Sequence, residues 1–137
     1  MYIPKYFEAH ELVAPEYYVI HKEMSFELFN DHILRSLDNF RLHFGKSLTI
    51  NDYGFKGDYF RSGLRIPDSK VGARLSRHKF GVAFDLKADD MKSLRKFILN
   101  EGSKFFITRV EDFKYTKSWC HVEFGYEIVT DIYVFKP

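Results

Sequence analysis

The residues best suited to chemistry are two histidines and an aspartate. His78 and Asp85 lie seven positions apart among small and apolar residues, and His121 lies in the aromatic segment 119–124. Two imidazoles and one carboxylate suit a catalytic zinc ion because they leave a fourth coordination position for water. A single carboxylate also leaves residual positive charge on the ion, which acidifies water and polarises a carbonyl group. The spacing alone also fits a strand histidine with satisfied hydrogen bonds and a turn-capping aspartate.

Helices and strands must bring these residues together. Apolar residues at three- and four-residue steps predict a helix over 25–44, ended by Gly45, and a second helix over 91–100 that begins at Asp89 or Asp90. Segments rich in β-branched and aromatic residues predict strands, namely 80–86, 105–110, 119–124 and 127–135, with a short one at 48–50. Pro4 and Pro15 indicate irregular structure over 1–24. This order predicts an α+β fold with a mainly antiparallel sheet.

The bulk composition limits the classes of protein. A length of 137 residues fits a single domain spanning 1–137, and 45% hydrophobic residues supply a core. The formal charge of +2 offers no concentrated basic face for nucleic acid. Cys120 is the only cysteine, so no intrachain disulfide can form. Without a signal-peptide pattern or an apolar run of roughly 20 residues, we expect cytoplasmic synthesis, no membrane insertion and a monomer.

Three segments also resemble one family of enzymes. Residues 76–85 read Ser-x-His-x-x-Gly-x-Ala-x-Asp, residues 62–65 read Ser-Gly-Leu-Arg, and residues 119–123 read Trp-x-His-x-Glu. These segments resemble the M15 family of zinc D-Ala-D-Ala carboxypeptidases and L-alanyl-D-glutamate endopeptidases. Segments 5–13 and 107–112 are similar to a short subgroup found in phages and bacteria.

The resemblance implies a site, a fold and a substrate. The family's zinc ligands map onto His78, Asp85 and His121. The implied fold is the one shared with hedgehog signalling domains, a small antiparallel sheet packed against helices. The implied activity is hydrolysis of peptidoglycan stem peptides, with action at the bacterial cell wall by phage-type release.

The general base is less clear from the sequence. In several M15 enzymes an acidic residue lies three positions before the last histidine ligand, where this chain has Ser118. A hairpin that pairs residue 109 with 121 and residue 111 with 119 would bring Glu111 near the metal. Glu123 is the second candidate, and its alternative role is to orient a ligand or to pair with Arg109.

Two further residues are candidates for binding substrate. Arg65 has the geometry to bind a substrate carboxylate through two hydrogen bonds, or it forms an ion pair within its loop. Ser76 orders the loop before His78 or touches substrate. Alternation along the strand points Cys120 away from the metal and into the core.

The leading expectation is therefore a zinc metallopeptidase that acts on peptidoglycan. The absence of an acid at position 118 motivates the alternative, a catalytically inactive zinc-bearing module that serves binding or forms part of a phage particle. A nucleic-acid function is a poor third, because the phenylalanines lie at core-like spacing and the charge is nearly balanced.

Overall fold

The computed structural model describes residues 1–137 and shows an α+β arrangement of four α-helices and a four-stranded sheet. The helices are α1 (Ala9–Leu12), α2 (Pro15–His21), α3 (Asp31–Phe44) and α4 (Met91–Glu101), and the strands are β1 (Ala83–Leu86), β2 (Ile107–Glu111), β3 (Cys120–Phe124) and β4 (Tyr133–Phe135). Short 3-10 turns occupy Lys22–Leu28, Tyr53–Phe55, Arg77–Phe80 and Gly102–Phe105. The predicted α+β class is confirmed.

The two predicted helices form with clear end signals. Helix α3 begins at Asp31, later than predicted, because the side chain of Asn30 accepts a hydrogen bond from the backbone N–H of His32 at 2.9 Å. Gly45 ends α3 as predicted, with a φ of 76° that favours glycine. Asp90 begins α4 by accepting from the backbone N–H of Ser93 at 3.0 Å, which confirms one of the two predicted caps.

The prediction of irregular structure over 1–24 was wrong. Helices α1 and α2 form there, and Pro15 is the first residue of α2, where its missing N–H would have had no partner in the helix. The buried carboxylate of Asp38 on α3 anchors the preceding segment by accepting from the hydroxyl of Tyr2 at 2.7 Å and the backbone N–H groups of Lys5 and Tyr6.

The sheet has the strand order β1-β3-β2-β4. Strand β3 is antiparallel to β1 and β2, whereas β4 is parallel to β2, so the predicted mainly antiparallel sheet is confirmed. Three predicted strands are shorter than expected. Residues 77–80 form a 3-10 turn before β1, only Tyr133–Phe135 of the last segment forms a strand, and segment 48–50 contributes one bridge between Thr49 and Lys87.

The pairing of β3 with its neighbours sets the position of the chemical residues. Asp85 pairs with His121, and Arg109 pairs with Glu123. The predicted pairing of residue 109 with 121 was therefore wrong by two residues, although an even shift keeps every side chain on its predicted face. Continuing this register places Glu111 opposite His121. Asp85, His121 and Glu111 thus form one row across the sheet.

The opposite face of the sheet forms the core. Side chains of β1, β2 and β3 that alternate with this row are fully buried and pack with α3 and α4 in one hydrophobic cluster, including Phe84, Leu86, Val110, Cys120 and Val122. Cys120 lies in the core as predicted, and burial raises the pKa of its thiol to about 11. No helix of the fold combines the length and apolar character required to cross a membrane.

Candidate metal centre

His78, Asp85 and His121 converge on one point at the face of the sheet. Nε2 of His78 and Nδ1 of His121 are 3.1 Å apart, and they lie 3.2 Å and 3.0 Å from Oδ1 of Asp85. The three potential ligand atoms are all within 4.8 Å of one another. Asp85 and His121 face each other on paired strands, and His78 reaches them from the turn before β1.

The turn before β1 fixes the position of His78. Oγ of Ser76 accepts from the backbone N–H of His78 at 3.3 Å and caps the start of this turn. Gly81 ends the turn with a φ of 70°. The His78 ring is 2% exposed, and its Nδ1 lies 3.0 Å from the carbonyl oxygen of Gly63. A carbonyl oxygen accepts only, so Nδ1 carries the proton and Nε2 presents a lone pair to the centre.

Glu123 fixes the tautomer of the His121 ring, as the carbonyl oxygen of Gly63 fixes that of His78. Its Oε2 accepts from Nε2 of His121 at 2.9 Å, so the neutral imidazole presents the lone pair of Nδ1. Glu123 is 4% exposed, and its Oε1 lies 3.2 Å from Nε of Arg109 and 3.7 Å from Nε of Arg77. The structure thus places Glu123 behind a ligand, where carboxylates commonly orient histidines at zinc sites.

The electrostatics of the cluster favour a bound positive charge. Burial lowers the pKa of His78 and keeps this ring neutral, although the nearby carboxylate of Asp85 favours its charged form. Burial would also lower the pKa of His121, but hydrogen bonds to Asp85 and Glu123 outweigh it and raise the pKa to about 9. Burial would raise the pKa of Asp85, but hydrogen bonds to the two histidines hold it well below its usual value.

The directions of these pKa shifts indicate whether the three side chains suit a metal ion. The carboxylates of Asp85 and Glu123 stabilise positive charge on the His121 ring and so favour a proton on Nδ1. A metal cation would supply positive charge at the same place and displace that proton. Two imidazole lone pairs and one carboxylate oxygen also match the ligand preference of zinc. The residues present therefore fit a divalent metal ion.

Glu111 lies beside this cluster and is not engaged by it. The side chain borders the same cleft and is half-buried, and its carboxylate makes no hydrogen bond or ion pair. Burial raises its pKa, with a smaller opposing effect from His121. Glu111 is therefore the carboxylate of the cleft that has no partner in the protein.

Arg65 contacts the cluster from the side of Asp85. It is 7% exposed, and its Nη2 lies 3.5 Å from Oδ2 of Asp85. Its Nε donates to the carbonyl oxygen of Arg61 at 2.7 Å, and its Nη1 donates to that of Val71 at 3.2 Å. Arg65 thus holds the carboxylate so that Oδ1 faces the histidines. Both Arg65 and Ser76 also line the cleft.

Sequence reasoning missed Lys87 and Arg77. Nζ of Lys87 donates to Oγ of Ser62 at 2.8 Å and to the backbone oxygen of Asp85 at 3.1 Å, and burial lowers its pKa to about 8. Strand alternation was a usable signal for Lys87, because it follows β1 directly and lies two residues after Asp85, on the same face of the extended chain. Nothing in the spacing pointed to the contact between Arg77 and Glu123.

The cluster forms the floor of an open cleft of about 510 Å³, bordered by Leu75, Arg109, Trp119 and Phe135. A larger cavity of about 640 Å³ lies between the ends of α3 and α4 and contains none of these residues. The candidate metal ligands therefore line the smaller cleft.

Comparison with protein-family models, curated proteins and solved structures finds no match to this chain. The resemblance to the M15 family stays a prediction, and the assignment of a metal centre rests on the geometry of His78, Asp85 and His121.

Proposed function

We propose that this chain is a zinc-dependent metallopeptidase that hydrolyses peptide bonds of bacterial peptidoglycan stem peptides. One observation carries the proposal. Lone pairs of His78 and His121 and a carboxylate oxygen of Asp85 converge on the floor of an open cleft, and the unengaged carboxylate of Glu111 lies beside them. This arrangement has both a metal-binding set and a group that can accept a proton.

A zinc ion held by His78, Asp85 and His121 would supply a Lewis acid that polarises the scissile carbonyl and acidifies water. The protein's own contribution is to fix the three ligands. Glu123 holds the tautomer of His121, the carbonyl oxygen of Gly63 holds that of His78, and Arg65 occupies the second oxygen of Asp85.

Glu111 is the general base in this proposal. Its carboxylate takes a proton from the attacking water and returns it to the nitrogen of the leaving amine. Glu123 is less suited to this step because its oxygens already contact His121, Arg109 and Arg77. Glu111 from β2 thus takes the role that an acid at position 118 has in several M15 enzymes.

The choice of peptidoglycan as substrate rests on the sequence resemblance of segments 62–65, 76–85 and 119–123 to M15 enzymes. The hedgehog-like fold, membership of that family and action at the cell wall belong to the same proposal. The open cleft is consistent with a substrate that is part of a polymer, because an extended chain can enter it without complete enclosure.

The test is digestion of purified peptidoglycan of several chemotypes by the zinc-loaded protein. New amino and carboxyl termini are quantified by mass spectrometry, with the chelator-treated protein and His121→Ala as controls. We expect termini to appear only with the zinc-loaded wild type. Zinc and peptidoglycan binding without any new termini would refute the peptidase and favour the inactive binding module that Ser118 motivates.

A further inference from the structure

A second lobe opens on the other side of Asp85 from the histidines. It has a volume of about 300 Å³ and shares Arg65, Asp85 and Trp119 with the metal cleft. Asp58, Tyr59, Arg61 and Lys87 are among the residues that line the part that is not shared. We call it the Lys87 lobe. Because Asp85 borders both spaces, a substrate held at the metal centre can extend into this lobe.

Lys87 is the cation of this lobe that lacks a carboxylate partner. Arg61 pairs with both oxygens of Glu16, at 2.6 and 2.8 Å, and Arg65 pairs with Asp85. The ammonium of Lys87 has no ion pair within 4.0 Å, although the residue is only 8% exposed, and the carboxylates of Asp85 and Asp52 act on it only from beyond this distance. A buried ammonium without a paired acid is uncommon, because desolvating the charge is costly.

The hydrogen bonds of Lys87 leave one of its three N–H donors available. Ser62 Oγ and the backbone oxygen of Asp85 accept from it, and the ring centroid of Tyr59 lies 4.2 Å from Nζ. An aromatic ring is a weaker partner for an ammonium than a carboxylate is. Tyr59 is 45% exposed and belongs to a loop, so its ring can yield to an entering acid.

We propose that Lys87 is a specificity-determining residue that binds a carboxylate of the substrate next to the scissile bond. The inference rests on the proposed function and names the residue that would recognise a free acid on the Asp85 side of the metal. An α-carboxylate and an acidic side chain share this chemistry.

The test is calorimetric titration of the zinc-loaded protein at pH 7 with three probes. N-acetyl-D-Ala-D-Ala carries an α-carboxylate, its C-terminal amide carries none, and N-acetyl-L-Ala-D-Glu α-amide carries only a side-chain acid. We expect wild type to bind one or both acids roughly 10- to 100-fold more tightly than the amide, as for a charge-assisted hydrogen bond. The acid with the larger preference identifies the source of the carboxylate.

Lys87→Met should reduce this preference to less than about threefold, and Lys87→Arg should retain part of it. Lys114→Met, in the exposed β2–β3 connection, is the matched control and should keep the full preference. Zinc content is measured for each variant. A preference that survives in Lys87→Met would assign the acid to the metal or to Arg65 and overturn the inference.

Tyr59→Ala keeps the proposal testable if Lys87→Met folds poorly, because Tyr59 is half-exposed. Removing the ring should leave acid binding as tight or tighter, whereas weaker acid binding would show that the ring and not the ammonium holds the ligand. If the protein prefers acid probes but cleaves nothing, the proposed peptidase activity is refuted and carboxylate binding by Lys87 is supported. If the protein cleaves acid and amide probes with equal KM, carboxylate binding by Lys87 is refuted and the proposed peptidase activity is supported.

Discussion

Replacing Glu111 by Gln removes one negative charge from the metal cleft and almost no volume. The side chain makes no hydrogen bond or ion pair in the structure, so the substitution breaks no contact of His78, Asp85 or His121. We therefore expect zinc affinity to change by less than about tenfold. The folded state should also keep its stability, because a half-buried carboxylate with a burial-raised pKa loses little on becoming an amide.

The effect on catalysis should be much larger. A positioned general base contributes roughly 10²- to 10⁴-fold to the rate, which corresponds to about 3–5.5 kcal/mol of transition-state free energy. We expect kcat to fall by this factor. The assay measures amine release from peptidoglycan by zinc-loaded Glu111→Gln, with Glu127→Gln as a control because Glu127 is exposed. A Glu111→Gln variant with wild-type kcat would refute the assignment of the base.

Three further predictions follow from single contacts. Glu123→Gln should weaken zinc affinity roughly 10- to 100-fold in chelator competition, because the amide holds His121 less firmly, and unchanged affinity would contradict this role. Asp38→Asn should lower the free energy of unfolding by about 1–3 kcal/mol in urea titration, because the new amide N–H₂ faces the Tyr2 hydroxyl and the backbone N–H of Lys5, which are themselves donors. Asp131→Asn is the exposed control and should change the free energy of unfolding little. Cys120 is 0% exposed, so Ellman's reagent should react with it only in denaturant, and rapid reaction of the folded protein would show that this face of the sheet is not packed.

The resemblance to the M15 family selected His78, Asp85 and His121, because their spacing alone also fits a strand histidine and a turn-capping aspartate. Local signals account for how the chain presents them. The turn that presents His78 has a serine cap and a glycine in the left-handed region within six residues, and strand alternation gives the faces of Asp85 and His121. Helix α4 was predictable for the same kind of reason, because its cap and its apolar spacing are local.

Features that depend on tertiary contact were not predictable in detail. The pairing of β2 with β3 was predicted two residues away from the observed register, because the connection between them contains a turn whose length the sequence does not define. The parallel placement of β4 beside β2 depends on packing alone. Pro15 predicts irregular structure, since proline disrupts the interior of a helix. It instead begins α2, because proline fits the first position of a helix.

Arg65 and Lys87 show the same limit within the site. Both are cations near one carboxylate, and the sequence gives no means of telling which one pairs with it. The structure pairs Arg65 with Asp85 and leaves Lys87 without an ion pair within 4.0 Å. This distinction separates a residue that holds a ligand from one that we propose binds substrate.

The most direct test of the metal centre is a crystal structure of the zinc-loaded protein with diffraction data collected at the zinc absorption edge. The prediction is one anomalous peak per chain, at about 2.0–2.1 Å from Nε2 of His78 and Nδ1 of His121 and at bonding distance from Asp85. Ligation of His121 through Nε2, or a peak away from these three residues, would contradict it.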